Sequence, residues 1–311
     1  MVNVLVTGAS GYIGRHLCQT LLKAGFVVFP VVRDINKGFA SIPKEQHVVI
    51  SNCHAQTDWS PFLKDIEVVI HLMARAHKPA KTDDEHQFNF QNVDLFESLI
   101  NHSMACGIKQ ILFLSSIGVN GEKTSGKPFT VVDSPSPKSN YAKSKWAAEQ
   151  LLERRLKNSD TTFTTIRPPL VYHGDKSGYK GNLRLLEKLI ATKLPLPLGN
   201  IQNRRSLVSV QNLTSLIDHC IQNPKAYNQT FLVSDPEPVS TSQLLRLMSG
   251  GEVRLFSLPK WFFKLGFRLI GKPFMVDKLF ASLEVDSLET QNRLNWQAPF
   301  TVETIFKDKN G

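Results

Sequence analysis

The 311-residue chain is 41% hydrophobic and 21% charged, with four cysteines and a formal net charge of +10. No run approaches the roughly 20 apolar residues of a membrane-spanning helix, which argues against stable membrane insertion. No block of five Lys/Arg and no nucleic-acid module is present, so the charge suits a phosphorylated small ligand better than a nucleic acid, against the plainer reading of a solvated basic surface.

Met1 leads straight into the apolar run Val2–Thr7, with no charged region before it, so no signal peptide is expected. That run ends in a glycine turn. Ile13, Leu17, Leu21 and Ala24 then recur on one helical face over 11–24, and Gly25 stops the helix. Residues 26–32 form a continuous apolar run, as in a parallel strand buried on both faces. Short apolar runs follow at 48–50, 68–72, 111–114 and 163–166, with helical patterns at roughly 86–106 and 140–157. This alternation predicts an α/β fold built on a doubly wound parallel sheet.

Near Arg167 the texture changes. Pro168, Pro169, Gly174, Gly178, Gly181, Pro195, Pro197 and Gly199 crowd together, and the chain is expected to leave the sheet for a smaller lobe. Residues 1–172 and 206–234 are assigned to the sheet domain, and 173–205 and 235–311 to the lobe. The segment 258–271 sets Trp261, Phe262, Phe263 and Phe267 among basic residues, in the manner of a membrane-surface helix. Aromatic-rich helices are more often core, and core is the expectation. Cys18, Cys53, Cys106 and Cys220 show no metal or redox spacing and read as reduced, mostly buried thiols of a cytoplasmic protein.

The turn reads Thr7-Gly8-Ala9-Ser10-Gly11-Tyr12-Ile13-Gly14, between a strand and a helix. Gly8 permits the turn, Gly11 lets a pyrophosphate approach the backbone, and Gly14 allows close helix packing. The helix N-terminus, from Ser10 through Tyr12 and Ile13, offers free N–H groups to phosphate. In that context the turn predicts a dinucleotide site. At the end of the second strand an acidic residue would hold the ribose 2′-OH of NAD(H). Val32 stands there instead, followed by Arg33, and a guanidinium suits a 2′-phosphate. Arg15 and Lys37 could add charge. NADP(H) is therefore favoured; in the alternative, NAD(H) binds with Asp34 on the ribose.

Tyr141 and Lys145 open a helix and share one face. An ammonium beside a phenol lowers the pKa of the phenol from its ordinary value of about 10, so Tyr141 could exchange a proton with a carbinol or carbonyl oxygen. Most such pairs lie on surfaces. The weight of this one comes from its place, one strand and one loop after Ser115-Ser116.

Taken together, these pieces resemble the extended short-chain dehydrogenase/reductases, in the branch of nucleotide-sugar epimerases, dehydratases and reductases. The matching stretches are 4–14, Val69-Ile70-His71-Leu72-Met73-Ala74, Phe113-Leu114-Ser115-Ser116, Tyr141-x-x-x-Lys145, Arg167-Pro168-Pro169-Leu170-Val171-Tyr172 and Leu294-Asn295-Trp296. The resemblance implies a Rossmann-type sheet with a C-terminal nucleotide-sugar lobe. It makes Ser116 the residue that orients the reacting oxygen, with Tyr141 and Lys145 catalytic. It places Leu72, Ala74, Asn92 and Pro168 with Gly8, Gly11 and Gly14 around the cofactor. Asn182, Arg204 and Arg205 would touch the diphosphate of a UDP-sugar; the less favoured alternative for Arg204-Arg205 is a solvated pair on a loop. It also implies a homodimer through a four-helix bundle of the helices near 86–106 and 140–157. Three departures stand out: Leu95-Phe96 replace the usual Gly-Thr, Ile50-Ser51-Asn52 stand where the family has an acidic residue near the adenine, and His173 replaces a glycine.

In that branch, dehydratases place Asp-Glu directly after the catalytic Ser or Thr. Here Ile117 and Gly118 stand there, and neither can transfer a proton, which excludes dehydration. Epimerases keep NAD bound, whereas reductases act once on a 4-keto sugar and tend to use NADPH. Val32-Arg33 therefore tilts the reading to a reductase. The stretches 71–77, 115–122, 203–208 and 228–235 resemble reductases of UDP-4-keto-6-deoxy hexosamines (UDP-N-acetylquinovosamine dehydrogenases), which serve bacterial surface polysaccharides. A UDP-hexose 4-epimerase with bound NAD is the alternative. A cofactor-binding relative without activity is a third reading, which intact Ser116, Tyr141 and Lys145 oppose.

Overall fold

The computed structural model describes residues 1–75, 88–174, 179, 181–269, 271 and 275–307, without the side chains of Phe90, Gln91 and Asn182. In chain order the first half runs β1 (Asn3–Thr7), α1 (Tyr12–Lys23), β2 (Val27–Val32), β3 (Val48–Val49), α2 (Ser60–Leu63), β4 (Val68–His71), α3 (Leu95–Ala105), β5 (Gln110–Leu114), α4 (Asn140–Leu156) and β6 (Thr162–Arg167). Next come β7 (Leu170–Tyr172), α5 (Gly181–Ala191), β8 (Leu207–Ser209), α6 (Val210–Cys220) and β9 (Gln229–Leu232). The last helices are α7 (Thr241–Met248), α8 (Lys260–Leu269), α9 (Met275–Phe280), α10 (Leu288–Leu294) and α11 (Val302–Lys307).

Seven strands form one parallel sheet in the order β3-β2-β1-β4-β5-β6-β9. Period-two alternation sends neighbouring residues to opposite faces. Val4 and Val6 join Leu17 and Leu21 of α1 and Leu213, Leu216 and Ile217 of α6 on one face. Leu5, Val69 and Ile111 join Leu95 and Leu99 of α3 and Leu151 and Leu152 of α4 on the other. Burial on both faces explains why these strands read as unbroken apolar runs. Gly25, at φ +87°, ends the turn after α1, and the Ser139 hydroxyl caps α4 by accepting from Ala142 N at 3.3 Å.

The strand order reverses beside β1, whose neighbours are β2 and β4. Doubly wound sheets bind ligands outside the carboxyl ends of their strands at such a point. Near 86–106 the expected single helix is a π-helical turn (Phe90–Asp94) followed by α3.

A second core gathers Tyr172, Tyr179, Leu183, Leu186, Leu244, Leu245, Ile305 and Phe306 from β7, α5, α7 and α11. Leu294 and Trp296 return to the core beside α6. The core expectation for 258–271 is corrected: α8 contains no fully buried residue. Phe263 and Phe267 pack inward, while Trp261, Phe262, Leu265 and Leu269 are exposed. The thiols of Cys18 and Cys220 are buried, Cys53 is half-buried and Cys106 exposed.

A buried carboxylate ties β7, β8 and α6 together. Asp235 accepts from Ser209 N at 2.9 Å, Asn212 Nδ2 at 2.6 Å and the Tyr172 hydroxyl at 2.6 Å. Asn212 in turn exchanges hydrogen bonds with the Phe300 backbone at 2.8 and 3.0 Å. Asp235→Ala leaves three buried donors unsatisfied. Urea unfolding should show a loss of about 3 kcal/mol or more; an unchanged midpoint would show that the seam carries no stability.

Candidate active site

The turn after β1 has no room for side chains at positions 8 and 14. Gly8 has φ +71°, and a Cβ there would lie 2.9 Å from Met73 N and 3.0 Å from the Leu72 carbonyl carbon. A Cβ on Gly14 would stand 2.3 Å from Gly8 O and 2.7 Å from Ala9 Cα. Gly8 thus lets the turn lie against the end of β4, and Gly14 lets α1 seat on the turn. Gly11 N donates to Gly8 O at 2.9 Å, and no side chain caps α1. Ser10 and Gly11 are exposed and Tyr12 half-buried, while Ile13 packs on the sheet core. First-turn N–H groups of a helix lack intrahelical acceptors, so this uncapped end is suited to receiving phosphate. His173 also finds a place here: its ring lies 4.8 Å from that of His16, which meets Tyr12 at 5.5 Å.

At the end of β2, Val32 is buried and Arg33 exposed. Asp34 Oδ1 accepts from Asn36 N at 3.0 Å and caps the short turn that follows. Arg15 Nη2 donates to Lys37 O at 3.1 Å, and its guanidinium lies 5.6 Å from the centre of the Phe39 ring. Arg15 and Lys37 therefore meet at the loop that Arg33 opens.

Ser116 and Lys145 meet the end of β5, and Tyr141 stands one turn before Lys145 on α4, its ring edge-on to Phe88 at 6.5 Å. Ser116 follows β5, and its hydroxyl accepts from Gly118 N at 3.1 Å. Tyr141 and Lys145 lie on one face of α4. Lys145 is buried; its Nζ donates to Leu114 O at 2.7 Å and stands 4.5 Å from the centre of the Phe113 ring. Burial draws its ammonium down to about 7, against the opposing pull of Glu149. Burial also pushes the Tyr141 phenol up to about 12. The expected lowering by Lys145 is thus corrected. Desolvation dominates both groups, and the ammonium is directed to the Leu114 carbonyl and the Phe113 ring.

Asn92 is buried on the π-helical turn. Its Oδ1 accepts from Arg75 N at 2.8 Å, and its Nδ2 donates to Ser144 Oγ at 2.9 Å, so it ties the Leu72–Arg75 loop to α4. Leu72 N donates to Thr7 O at 3.2 Å, and Leu72 and Ala74 are half-buried. Pro168 is buried, with its carbonyl accepting from Ile117 N at 2.9 Å.

The substrate candidates separate. Arg205 is half-buried, and its Nη1 donates to Lys278 O at 3.0 Å and Ala281 O at 3.2 Å. It lines an apolar cavity of about 40 Å³ with Leu170, Leu183, Leu186, Lys278 and Leu279. Arg204 turns away from that cavity's lining to an exposed ion pair, Nε to Glu284 Oε2 at 2.6 Å. Asn182 begins α5, but its side chain lies outside the described residues.

Sequence reasoning missed the polar network behind these residues. Glu149 and Arg167 form a buried ion pair, with Arg167 Nε at 3.0 and 3.2 Å from the carboxylate oxygens and Nη2 at 2.6 Å. The Ser115 hydroxyl donates to Glu149, and Arg167 Nη1 donates to Asn120 Oδ1 at 2.9 Å. One signal was available: Glu149 follows Lys145 by four and is a charged residue at a core position of α4. The Leu95-Phe96 departure is explained as well. Phe96 stacks on His71 at 4.3 Å and on Phe113 at 4.7 Å, filling the space beneath Lys145. Among the described residues, no cluster of His, Cys, Asp or Glu could hold a metal.

The family model for the NAD dependent epimerase/dehydratase family matches residues 4–233. A UDP-glucose 4-epimerase of Vibrio cholerae is 37% identical over 98% of this chain and 93% of its own length. The N-acetyl-alpha-D-glucosaminyl-diphospho-ditrans,octacis-undecaprenol 4-epimerase of Escherichia coli O157:H7 is 26% identical over 78% of this chain and 70% of its own. In three dimensions, the crystal structure of UDP-N-acetylglucosamine 4-epimerase from Bacillus cereus aligns with a TM-score of 0.77 at 15% identity. That alignment covers 99% of this chain and 98% of the other, and it shows a shared fold.

Lys145 gives a pH test. Its folded-state value near 7 lies below the ordinary 10.5, so between those limits the unfolded chain binds more protons and stability rises with pH. Lys145→Met removes this contribution. Urea unfolding at about pH 6, 8 and 10 should show the wild type gaining stability relative to Lys145→Met above pH 7 and not below it. In Glu149→Gln the window should open at lower pH, because the carboxylate that supports the ammonium is gone. A difference independent of pH would contradict this.

Proposed function

The chain belongs to the NAD dependent epimerase/dehydratase family, and from that premise we propose an NADP(H)-dependent 4-ketoreductase acting on a UDP-linked 6-deoxy hexosamine for bacterial surface polysaccharide. The observation that carries this reading is the end of β2. Buried Val32 leaves no carboxylate for a ribose 2′-OH, Asp34 is engaged by Asn36 N, and Arg33 is exposed at the loop where Arg15 and Lys37 meet. That is a basic environment suited to a 2′-phosphate.

The glycine cradle fits a dinucleotide, because Cβ atoms on Gly8 and Gly14 would clash with backbone. Gly8, Gly11 and Gly14 with the α1 N-terminus would hold its pyrophosphate; Leu72, Ala74, Asn92 and Pro168 would shape the loops beside it; Lys145 would meet its nicotinamide ribose. When bound, it supplies the hydride. The protein supplies the proton. A phenol near 12 stays protonated at neutral pH, so Tyr141 suits donation to a C4 carbonyl oxygen undergoing reduction. The Ser116 hydroxyl orients that oxygen. Ile117 and Gly118, the two positions after Ser116, carry no carboxylate, so neither can supply the proton transfers of a dehydration. Arg205, at the rim of the apolar cavity, is assigned to the nucleotide diphosphate. The homodimer is assigned to the faces of α3 and α4.

A second reading, 4-epimerisation with retained NAD, rests on the name of the Vibrio cholerae relative. The Escherichia coli relative is named for a sugar on undecaprenyl diphosphate, so a substrate panel includes that carrier.

Purified protein should reduce a UDP-4-keto-6-deoxy hexosamine with kcat/KM about tenfold or more higher for NADPH than for NADH, the size of one charge-assisted contact. Arg33→Ala should erase the preference. Interconversion of UDP-glucose and UDP-galactose, or of their N-acetyl forms, without added cofactor would favour the epimerase. Tyr141→Phe should lower kcat by about 10²–10⁴-fold and leave dinucleotide binding intact by calorimetry. Undiminished turnover would remove Tyr141 from the chemistry, and a wild type without turnover on any of these substrates would refute the enzyme reading.

A further inference from the structure

We propose that α8 docks this protein onto an anionic lipid bilayer as a peripheral, surface-lying helix. The proposal does not depend on the reaction assigned above.

The helix wears its apolar residues on the outside. Trp261, Phe262, Leu265 and Leu269 are 62%, 51%, 52% and 78% exposed, and Phe256 just before the helix is 46% exposed. Positions 261, 265 and 269 recur at intervals of four, with 262 beside them, so they form one continuous face. The opposite side is already used. Phe263 and Phe267 pack into the lobe core, and Phe263 meets the Phe280 ring of α9 edge-on at 5.1 Å. The outer face is therefore surplus to folding. Contiguous exposed apolar surface of this kind marks an interaction site.

Charge selects the partner. From Val253 to Val276 the sequence carries Arg254, Lys260, Lys264, Arg268 and Lys272 and no Asp or Glu. Lys264 and Arg268 lie along one flank of the apolar face, while Lys260 Nζ stands 5.4 Å from the centre of the Phe280 ring of α9. Such side chains can lay their stems on apolar surface and direct their charges to anionic headgroups. Trp261 suits the boundary between headgroup and acyl chain. A second copy of the helix fits poorly, because pairing two such faces brings like charges together with no acidic residue on either helix. Among the described residues no helix is long and apolar enough to cross a membrane, so docking is superficial. The docked helix sits beside the cavity that holds Arg205, since α9 contacts α8 through Phe280 and lines the cavity with Lys278 and Leu279.

The test is co-sedimentation of the full chain with vesicles of phosphatidylcholine alone and of phosphatidylcholine with phosphatidylglycerol. Binding is expected to the mixed vesicles, with release as salt rises. Trp261→Ser/Leu265→Ser should abolish it. Lys264→Gln/Arg268→Gln should weaken it about thirtyfold, given the attraction of each basic residue to an anionic surface. All four side chains are exposed and lie outside the proposed catalytic and cofactor sites, so both variants should keep the wild-type unfolding midpoint. Absence of binding to mixed vesicles, or binding unchanged in both folded variants, would overturn the proposal. So would a dimer in sedimentation equilibrium that the Trp261/Leu265 variant dissolves, which would assign the face to a second copy.

Discussion

The buried ion pair between Glu149 and Arg167 is the interaction from which the rest of the site hangs. Removing two charges from water costs several kcal/mol per ion, so such a pair persists only when its geometry and remaining hydrogen bonds are satisfied. Here they are. Arg167 grips the carboxylate through Nε and Nη2, donates to Asn120, and lies 5.6 Å from the Trp146 ring. Glu149 also accepts from Ser115. One pair therefore links α4, the end of β6 and the loop after β5. Those segments carry Tyr141 and Lys145, Pro168, and Ser116. The same carboxylate opposes the desolvation of Lys145 one helical turn away.

The sheet does the complementary work at its carboxyl edge. Parallel strands buried on both faces leave chemistry only at their ends, and the ends of β1, β4 and β5 lie side by side. At β1 the close approach of backbone to backbone excludes every side chain from positions 8 and 14. At β4 and β5 the stack of His71, Phe96 and Phe113 fills the layer under Lys145. His71 is buried with its Nδ1 2.9 Å from the Thr7 hydroxyl, and burial holds its ring well below the usual imidazole range. A neutral ring there avoids a second cation beside the Lys145 ammonium.

Lys145 and Tyr141 show how burial changes an argument from spacing. An ammonium near a phenol favours phenolate, but removal from water disfavours charge on both groups. In this fold the second effect is larger, and it leaves a protonated phenol and an amine that titrates near neutrality on one face of α4. The outer face of α8 shows a related limit. Aromatic composition says that a helix can be buried, and only its neighbours decide which face has anything to be buried against.

The sequence by itself determined six of the seven strands of the main sheet, all but β9. Unbroken apolar runs specify strands locally, and Gly8 and Gly25 mark turns whose positive φ is also a local requirement. It likewise determined that Tyr141 and Lys145 share a face, because helical spacing is a property of neighbouring residues. Tertiary structure alone decided what those side chains meet. Glu149 and Arg167 are 18 positions apart, and Asn120 and Arg167 are 47 apart. Neither pairing has a local signature. The direction of each pKa shift, the turn of Arg204 toward Glu284 and the outward face of α8 follow from burial. Burial is set by the packing of distant segments and has no periodicity to read.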